Sequence, residues 1–161
     1  MGEPTIRPMT PDDAASVWGL VQAQTQLNNN SFYLYHLLGT HFSSTCRVAE
    51  LDGVVVGAVT GYRPPSDPET LFVWQLVVGE GARGRGIASA LVRTLIAAQA
   101  SKPVRVQATI SPGNEASYGV FRALARSQGT ELDVTRFLDA GRIPDEGGKP
   151  EHEDLVTCVL A

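Results

Sequence analysis

Hydrophobic and polar positions along the chain predict strands and helices in alternation. Ile6-Arg7-Pro8 reads as a short edge strand that Pro8 ends. Thr10-Pro11-Asp12-Asp13 is typical of a helix start, with a Thr N-cap and Pro at the first helical position. The apolar positions that then share one helical face are Ala14, Val17, Trp18 and Val21. Asn28-Asn29-Asn30 breaks this pattern, and we predict a second short helix from Ser31 to His41.

A hairpin is predicted next. Residues from Thr45 to Leu51 and from Val54 to Tyr62 have strand-like composition, and Asp52-Gly53 between them is a strong signal for a tight turn. After a proline-containing loop, the β-branched and aromatic residues from Leu71 to Val78 predict another strand.

A glycine-rich turn then leads into a helix, whose apolar face holds Ile87, Leu91, Leu95 and Ala98. The segment from Val104 to Ile110 predicts the following strand. Strand, turn, helix and strand in this order are typical of a crossover that joins two parallel strands. We therefore expect an α/β fold with a mixed sheet.

The last third of the chain predicts one more helix and one more strand. Ser111-Pro112-Gly113-Asn114 starts the helix, whose apolar stripe is Val120, Phe121 and Leu124. The final strand is predicted from Val156 to Leu160. The segment before it, from Gly141 to Asp154, is polar and contains Gly and Pro, so we predict a long loop there.

Length and charge narrow the function classes. The chain has 161 residues, which suits one domain over residues 1–161 with a proper core. The formal net charge of −4 argues against a nucleic-acid partner, which would need a basic face. No stretch is apolar enough for a membrane span, and the start of the chain lacks the features of a secretion signal. Cys46 and Cys158 form no close pair, so we expect a protein of the reducing cytoplasm. His36, His41 and His152 have no metal-ligand spacing with these cysteines, so we expect no metal site.

Arg83-Gly84-Arg85-Gly86-Ile87-Ala88 has the chemistry of a pyrophosphate site. The first turn of a helix offers unpaired N–H groups and the positive end of the helix dipole. Gly84 and Gly86 allow close approach of the backbone, and the two arginines add cationic donors. The alternative is a plain strand-to-helix turn with two permissive glycines.

In its context after the strand from Phe72 to Val78, Arg83-x-x-Gly86-x-Ala88 resembles the acyl-CoA motif of the GNAT N-acetyltransferase superfamily. The resemblance implies a GNAT-like fold whose central mixed sheet is splayed at the coenzyme A site and flanked by helices. It also implies acetyl-CoA as co-substrate and a homodimer. The cofactor-binding residues it implies are Leu76, Val77, Val78, Arg83, Gly84, Arg85, Gly86, Ile87, Ala88, Ser89 and Asn114, although Asn114 alone would also fit an ordinary N-cap.

Other strings are similar to a narrower family, the L-2,4-diaminobutyrate acetyltransferases of ectoine biosynthesis. The strings that carry this resemblance are Leu27-Asn28-Asn29-Asn30-Ser31-Phe32-Tyr33, Gly61-Tyr62-Arg63-Pro64-Pro65, Leu71-Phe72-Val73-Trp74-Gln75, Asn114-x-x-Ser117 and Glu151-His152-Glu153-Asp154. They imply acetyl transfer to the γ-amine of L-2,4-diaminobutyrate. This substrate needs carbonyl or carboxylate acceptors for two ammonium groups and a donor for its carboxylate.

The substrate-binding candidates under this resemblance are Asn28, Asn30, Tyr33, Arg63, Trp74 and Asp154. The family usually has an acid where this chain has Asn28, and an amide brings no charge to the ammonium. Trp74 fits a core position as well as a pocket wall, Arg63 fits a cap on the hairpin end, and the acidic run fits a solvated loop.

The catalytic candidates are His152, Glu153 and Tyr118. His152 or Glu153 would take a proton from the ammonium group. The backbone N–H of Val77 or Val78 is the candidate donor to the developing oxyanion. Many members of the superfamily protonate the leaving thiolate with a Tyr, but that place holds Phe121 here. Tyr118 and Tyr33 are the candidates for that task, and departure of the thiolate into water is the alternative.

Two other functions remain open from the sequence. Asn28 is compatible with an acetyltransferase for another small primary amine, which a panel of amines would distinguish. Phe121 at the place of the usual Tyr is compatible with a non-catalytic acyl-CoA-binding module, which would bind acetyl-CoA tightly without transfer to any amine.

Overall fold

The computed structural model describes residues 2–24, 30–144 and 150–161. Within these ranges, seven strands form one sheet: β1 (Thr5–Pro8), β2 (Cys46–Leu51), β3 (Val54–Tyr62), β4 (Thr70–Val78), β5 (Arg105–Ile110), β6 (Asp133–Leu138) and β7 (Glu153–Val159). The α-helices are α1 (Ala14–Gln22), α2 (Phe32–His41), α3 (Ile87–Ala97) and α4 (Glu115–Ser127).

The sheet is mixed, with the strand order β1-β2-β3-β4-β5-β7-β6. Neighbours from β1 to β4 are antiparallel, β4 and β5 are parallel, and β5, β7 and β6 are again antiparallel. The predicted crossover is therefore confirmed, because α3 joins the parallel pair of β4 and β5. The predicted hairpin is confirmed too, with Asp52 at φ 50° and Gly53 at φ 80° in its turn.

Helices cover both faces of the sheet. On one face, Val17 and Val21 of α1 and Tyr35 and Leu38 of α2 pack with Val77 of β4. On the other face, α3 and α4 supply the helical part of a larger apolar cluster: Ile87, Leu91, Leu95, Phe121 and Leu124. The sheet therefore separates an α1/α2 face from an α3/α4 face, and a ligand bound between strands could contact both.

A β-bulge at Trp74 changes the course of β4. Thr60 of β3 pairs with Gln75 and the next residue, Gly61, pairs with Val73, so Trp74 is the extra residue. The side chains reverse their faces there. Val73 packs on the α3/α4 face before the bulge, and Val77 packs on the α1/α2 face after it. Gly61 is required opposite the bulge, because a Cβ there would collide with the Phe72 carbonyl oxygen.

Beyond the bulge, β4 and β5 part. Their pairing runs from Thr70 with Arg105 to Val73 with Ala108 and ends there, although β4 continues to Val78 and β5 to Ile110. The splayed sheet that the resemblance implied is thus confirmed. The opening lies at the carboxyl ends of two parallel strands, where open α/β sheets bind their ligands.

Several sequence expectations are corrected by the structure. Trp18 is 37% exposed and lies outside the core, and Ala98 is exposed because α3 ends before it. β6 was missed, because nearly all its residues are exposed and it shows no apolar alternation. The loop predicted up to Asp154 ends earlier, since β7 begins at Glu153. No helix among the described residues is long and apolar enough to span a membrane.

Candidate active site

A cleft of about 560 Å³ lies on the α3/α4 face beside the opening between β4 and β5. Its walls are the second half of β4, the glycine-rich turn and the start of α3, and the first turns of α4. The predicted cofactor-binding residues that line it are Leu76, Val77, Val78, Arg83, Gly84, Gly86, Ile87, Ala88, Ser89 and Asn114. The structure thus brings together residues from three separate segments of the chain.

The glycine-rich turn presents a helix start to this cleft. Gly84 and Gly86 have φ values of 74° and 73°, a left-handed conformation that glycine adopts without strain. The first N–H groups of α3 follow directly at Ile87 and Ala88, where an α-helix leaves its donors unpaired. Glycine-lined donors at the positive end of a helix suit a pyrophosphate.

The two arginines of the turn have different surroundings. The Arg83 guanidinium lies at the cleft, where it donates to the Gln24 side-chain oxygen and, across 3.4 Å, to the Val78 carbonyl. Arg85 is not among the residues that line the cleft, and its guanidinium donates to the Gly2 carbonyl across 2.9 Å. The geometry therefore favours Arg83 as the cationic group beside a bound phosphate.

The exposed edge of β4 offers backbone groups to the opening. The Gly79 N–H donates to the Val56 carbonyl across 2.8 Å, so at this position the peptide groups point toward β3. By the alternation of a strand, the peptide groups of Val77 also point to β3, whereas those of Leu76 and Val78 point to the opening. Of the two candidate oxyanion donors, Val78 is the one whose N–H is directed away from β3.

Asn114 lies at the N-terminus of α4 and also lines the cleft. Its side-chain oxygen accepts a hydrogen bond from the Ser117 N–H across 3.3 Å. Asn114 is therefore the N-cap of α4 in this structure. The cap uses only its side-chain oxygen, so its amide N–H₂ group is left as a donor at the edge of the cleft.

The opposite, α1/α2 face of the opening is formed by the bulge residue and its neighbours. Trp74 is half-buried and stacks on Tyr35, with ring centroids 6.2 Å apart and planes at 28°. The Tyr35 hydroxyl donates to the Gln75 side-chain oxygen across 2.7 Å. Asn30 contacts the same hydroxyl through its side chain and accepts at its backbone carbonyl from the Trp18 indole, across 3.1 Å.

Tyr33 and Asn28 are two further substrate-binding candidates, and only Tyr33 is among the described residues. Tyr33 is 65% exposed on α2, away from the buried stack of Tyr35 and Trp74. Asn28 lies outside the described residues, so its predicted contact with an amine stays a prediction.

Glu153 and Asp154 lie at the same end of the sheet as the opening, but on opposite faces. Asp154 pairs with Ile110, the last residue of β5. Val156 and Cys158 pack on the α3/α4 face, and alternation places Asp154 on that face and Glu153 on the α1/α2 face. Of the two carboxylates, Glu153 therefore shares a face with Trp74.

Glu153 has the environment of a proton acceptor. Its half-buried carboxylate accepts a hydrogen bond from the Ser111 hydroxyl across 3.1 Å. Burial raises its pKa, the Ser111 hydrogen bond opposes that rise, and the charges of Glu151 and Asp154 add to it. A carboxylate with a raised pKa is a better base than an exposed one.

Asp154 is already paired. One of its oxygens accepts from the Arg136 guanidinium across 2.8 Å, and the other lies 3.4 Å from the Tyr118 hydroxyl. Tyr118 is 7% exposed, and burial followed by the Asp154 charge raises its pKa. Tyr118 does not line the cleft, although its neighbours Ser117 and Val120 do. Tyr118 therefore packs on the α3/α4 face, the same face as the cleft, without lining the cleft itself.

His152 and Arg63 are held by backbone groups. The exposed His152 ring accepts a hydrogen bond at Nδ1 from the Ala140 N–H across 3.1 Å. His152 directly precedes Glu153, the first residue of β7. Arg63 donates to the carbonyls of Pro68 and Ser101, which ties the end of β3 to the β4 side and to the segment after α3. Arg63 was predicted either to bind the substrate or to cap the hairpin end, and these hydrogen bonds fit the cap.

Several residues of the site were not among the predicted site residues. Gln24, Ala82, Ala116, Ser117 and Val120 also line the cleft. Tyr35, Gln75 and Ser111 contact predicted site residues. Tyr35 and Gln75 could have been found from the sequence, because a polar residue on an otherwise apolar face must have a hydrogen-bond partner when that face is buried. Ser111 carried no pattern that distinguishes it from other loop serines.

The structure resembles solved acetyltransferases. It matches the diaminobutyrate acetyltransferase EctA from Paenibacillus lautus, solved with its substrate L-2,4-diaminobutyric acid and coenzyme A, with a TM-score of 0.94 and 35% sequence identity. That match covers 99% of this chain and 96% of the other. Ard1 from Thermoplasma volcanium matches with a TM-score of 0.80 over 99% of both chains at 17% identity, which shows the shared fold alone.

The sequence comparisons agree with the structural ones. The L-2,4-diaminobutyric acid acetyltransferase of Nocardia farcinica is 41% identical over 91% of this chain and 76% of its own. That of Chromohalobacter salexigens is 40% identical over 94% and 78%. The model of the acetyltransferase (GNAT) family matches residues 15–125. The chain thus belongs to the acetyltransferase (GNAT) family, within the group of the L-2,4-diaminobutyric acid acetyltransferases.

Proposed function

We propose that this protein transfers the acetyl group of acetyl-CoA to the γ-amine of L-2,4-diaminobutyrate, giving N4-acetyl-L-2,4-diaminobutyrate for ectoine biosynthesis. The observation that carries the proposal is the opening between β4 and β5, with the glycine-rich cleft on one face and Trp74 and Glu153 on the other. The names of the relatives support this choice of amine.

The residues of the cleft fit coenzyme A. The turn at Gly84 and Gly86 offers backbone donors without side-chain bulk, and Arg83 adds a positive charge beside them. The β4 edge at Leu76 and Val78 leaves peptide groups unpaired by β5, as an amide-containing arm requires. When bound, acetyl-CoA supplies the activated thioester.

Proton removal from the amine is the task for Glu153. An alkyl ammonium has an unperturbed pKa near 10, so the reactive amine must first be freed of its proton. Glu153 is the carboxylate that lies on the Trp74 face, is half-buried and has no cationic partner among its described hydrogen bonds. His152 stands beside it, and we propose that it relays the proton from Glu153 to solvent.

The recognition of the amine substrate falls mainly to the α1/α2 face. Trp74 provides an aromatic wall to which an ammonium group is attracted. Asn30 supplies a neutral acceptor there, and Asn28 and Tyr33 are the further candidates for contact with the amine. Arg63 and Asp154 contribute from farther away, since the first is tied to backbone carbonyls and the second is neutralised by Arg136.

Direct attack of the amine on the thioester then needs positioning more than covalent help. The Val78 N–H, directed at the opening, donates to the acetyl oxygen as it gains negative charge. Since Phe121 is 1% exposed in the core and the Tyr118 hydroxyl lies against Asp154, the thiolate departs into the solvent of the cleft, which also takes the second proton that the nitrogen loses as the amide forms.

The test is a coupled assay of acetyl-CoA consumption with an amine panel. L-2,4-diaminobutyrate is expected to be acetylated far better than ornithine or lysine, and mass spectrometry of the product should place the acetyl group on the γ-nitrogen. Turnover of another amine in preference to diaminobutyrate would reassign the substrate. Tight binding of acetyl-CoA without transfer to any amine would support a non-catalytic role instead.

We further propose a cytoplasmic homodimer. Cys46 and Cys158 are buried free thiols, which suits a reducing compartment that also holds acetyl-CoA. Two-fold dimers are the commonest assemblies of soluble proteins, and β6 leaves an exposed strand edge that includes Val134 and Phe137. Light scattering after size-exclusion chromatography should give twice the chain mass of 17.2 kDa. A monomer at micromolar concentration would contradict the dimer.

A further inference from the structure

We propose that Tyr35 is a positioning residue for the amine substrate, which acts by holding Trp74 and Asn30 in place through a buried hydrogen-bonded cluster. This inference rests on the proposed function, since it assigns Tyr35 a role in amine binding. It concerns a residue that is fully buried and therefore acts through its neighbours.

The cluster joins three parts of the fold. The Tyr35 ring, from α2, stacks on Trp74 at the bulge of β4, and its hydroxyl donates to the Gln75 side chain across 2.7 Å. The Asn30 side chain contacts the same hydroxyl. The Asn30 carbonyl in turn accepts from the Trp18 indole of α1 across 3.1 Å. The Tyr35 hydroxyl thus links Asn30, just before the N-cap of α2, to Gln75 on the strand that lines the opening.

A tyrosine at this position is not needed for packing alone. Tyr35 is 0% exposed in an apolar cluster, where a phenylalanine would fill nearly the same volume without burying a hydroxyl. Gln75, at 7% exposed, is a second polar side chain in the same buried patch. Thr60, the strand partner of Gln75, is 1% exposed, and its hydroxyl has no partner among the described residues. These buried polar side chains indicate that the patch is built to fix the orientation of its neighbours through hydrogen bonds, and not only to fill the core.

The bulge explains why this orientation matters. Because Trp74 is the extra residue of β4, its backbone lacks a matching partner in β3, and its ring direction depends on what it stacks against. Tyr35 supplies that surface on the face where the amine is proposed to bind. Without the hydroxyl, the stack loses its anchor on Gln75, and the Asn30 side chain loses its contact with Tyr35.

The experiment compares Tyr35→Phe with the full-length wild-type enzyme. We expect KM for diaminobutyrate to rise about tenfold, the size expected when a buried hydrogen bond is lost and its partner is left unpaired. KM for acetyl-CoA should stay within about twofold, because the cleft on the other face is untouched. Tyr62→Phe is the matched control, since Tyr62 is exposed and contacts Phe72 through its ring.

A double mutant separates positioning from simple destabilisation. Gln75→Leu removes the acceptor of the Tyr35 hydroxyl and should also raise KM for the amine. If the two residues act through one contact, Tyr35→Phe with Gln75→Leu raises KM no further than the larger single change. Full additivity of the two effects would overturn the coupling through that contact. A thermal melt of each variant shows whether the fold is retained.

The outcomes distinguish this inference from the proposed function. If the wild type acetylates diaminobutyrate and Tyr35→Phe leaves KM for the amine unchanged, the positioning role is wrong and the function stands. If the wild type prefers another amine, the function is reassigned, and the same comparison is made with that amine. A variant that loses stability but keeps its amine KM would identify Tyr35 as a packing residue and overturn the inference.

Discussion

The Ser111 hydroxyl donates a hydrogen bond to Oε1 of Glu153 across 3.1 Å, and this pair lies where β5 ends and β7 begins. The hydrogen bond fixes the direction of the carboxylate and moderates the rise in its pKa that burial causes. The pair thereby orients the Glu153 carboxylate on the face of the sheet that carries Trp74, as the proposed role of base requires.

Replacement of Glu153 by Gln should abolish most of the activity without unfolding the protein. Loss of a general base lowers kcat by about 10²-fold or more. Ser111 can still donate to the amide oxygen of Gln. Because burial raises the Glu153 pKa, its stabilising contribution is present at low pH and is lost as the pH rises through the raised pKa. At pH 7 the melting temperature of Glu153→Gln should therefore equal or exceed that of the wild type.

Steady-state kinetics and thermal melts check this prediction, with the exposed Glu69→Gln as control. A kcat within a few-fold of the wild type at retained stability would remove Glu153 from the role of base. His152→Gln, measured in the same series, would then test the neighbouring side chain.

The pH dependence of the rate should respond to Ser111. A carboxylate base must be ionised, so the rate falls at low pH with a midpoint above the ordinary range of Glu. Ser111→Ala removes a hydrogen bond that lowers the Glu153 pKa, so the acidic limb of kcat should move to higher pH. Ser66→Ala, in an exposed loop, should leave the profile in place. An acidic limb that does not move would show that a different group controls it.

The cofactor cleft was largely predictable from the sequence, because its elements are local. The turn at Arg83 to Ala88 needs only glycine conformation and a helix start, both of which short sequence patterns indicate. Arg85 shows the limit of such patterns. It stands in the same motif as Arg83, but its side chain binds the Gly2 carbonyl, a partner distant in sequence.

The amine side was less predictable, because it depends on contacts between distant segments. The bulge at Trp74 arises from the pairing of β3 with β4, and no period in the sequence of β4 indicates it. Likewise, Glu153 and Asp154 look equivalent in sequence. They face opposite sides of the sheet because β7 begins at Glu153, earlier than predicted, and side chains alternate along a strand.

The left-handed Gly86 at the end of the glycine-rich turn should be required for cofactor affinity. Gly86 has φ 73° directly before α3, and an L-residue there costs roughly 1–2 kcal/mol. Gly86→Ala should therefore raise KM for acetyl-CoA about tenfold or lower stability by a similar free energy, with KM for the amine unaffected. Gly81→Ala is the matched control, because Gly81 has open space around it and no positive φ. Kinetics with acetyl-CoA as the varied substrate and chemical unfolding check both effects. A Gly86→Ala protein equal to the wild type in both would contradict the role of the glycine-rich turn in binding the pyrophosphate.

Tyr118→Phe tests how the thiolate leaves. The Tyr118 hydroxyl lies 3.4 Å from Asp154 and outside the cleft, so its removal should change kcat by no more than about threefold, the effect of one weak hydrogen bond. If Tyr118 instead protonates the thiolate, kcat should fall by about 10²-fold. The alkaline limb of the rate would also change, because burial and the Asp154 charge hold the Tyr118 pKa above its ordinary value. Arg122→Gln is a useful companion, since its guanidinium lies 5.2 Å from the centre of the Tyr118 ring and Arg122 does not line the cleft. Equal pH profiles for the wild type and Tyr118→Phe would leave departure into solvent as the mechanism, and a lost alkaline limb would assign the acid to Tyr118.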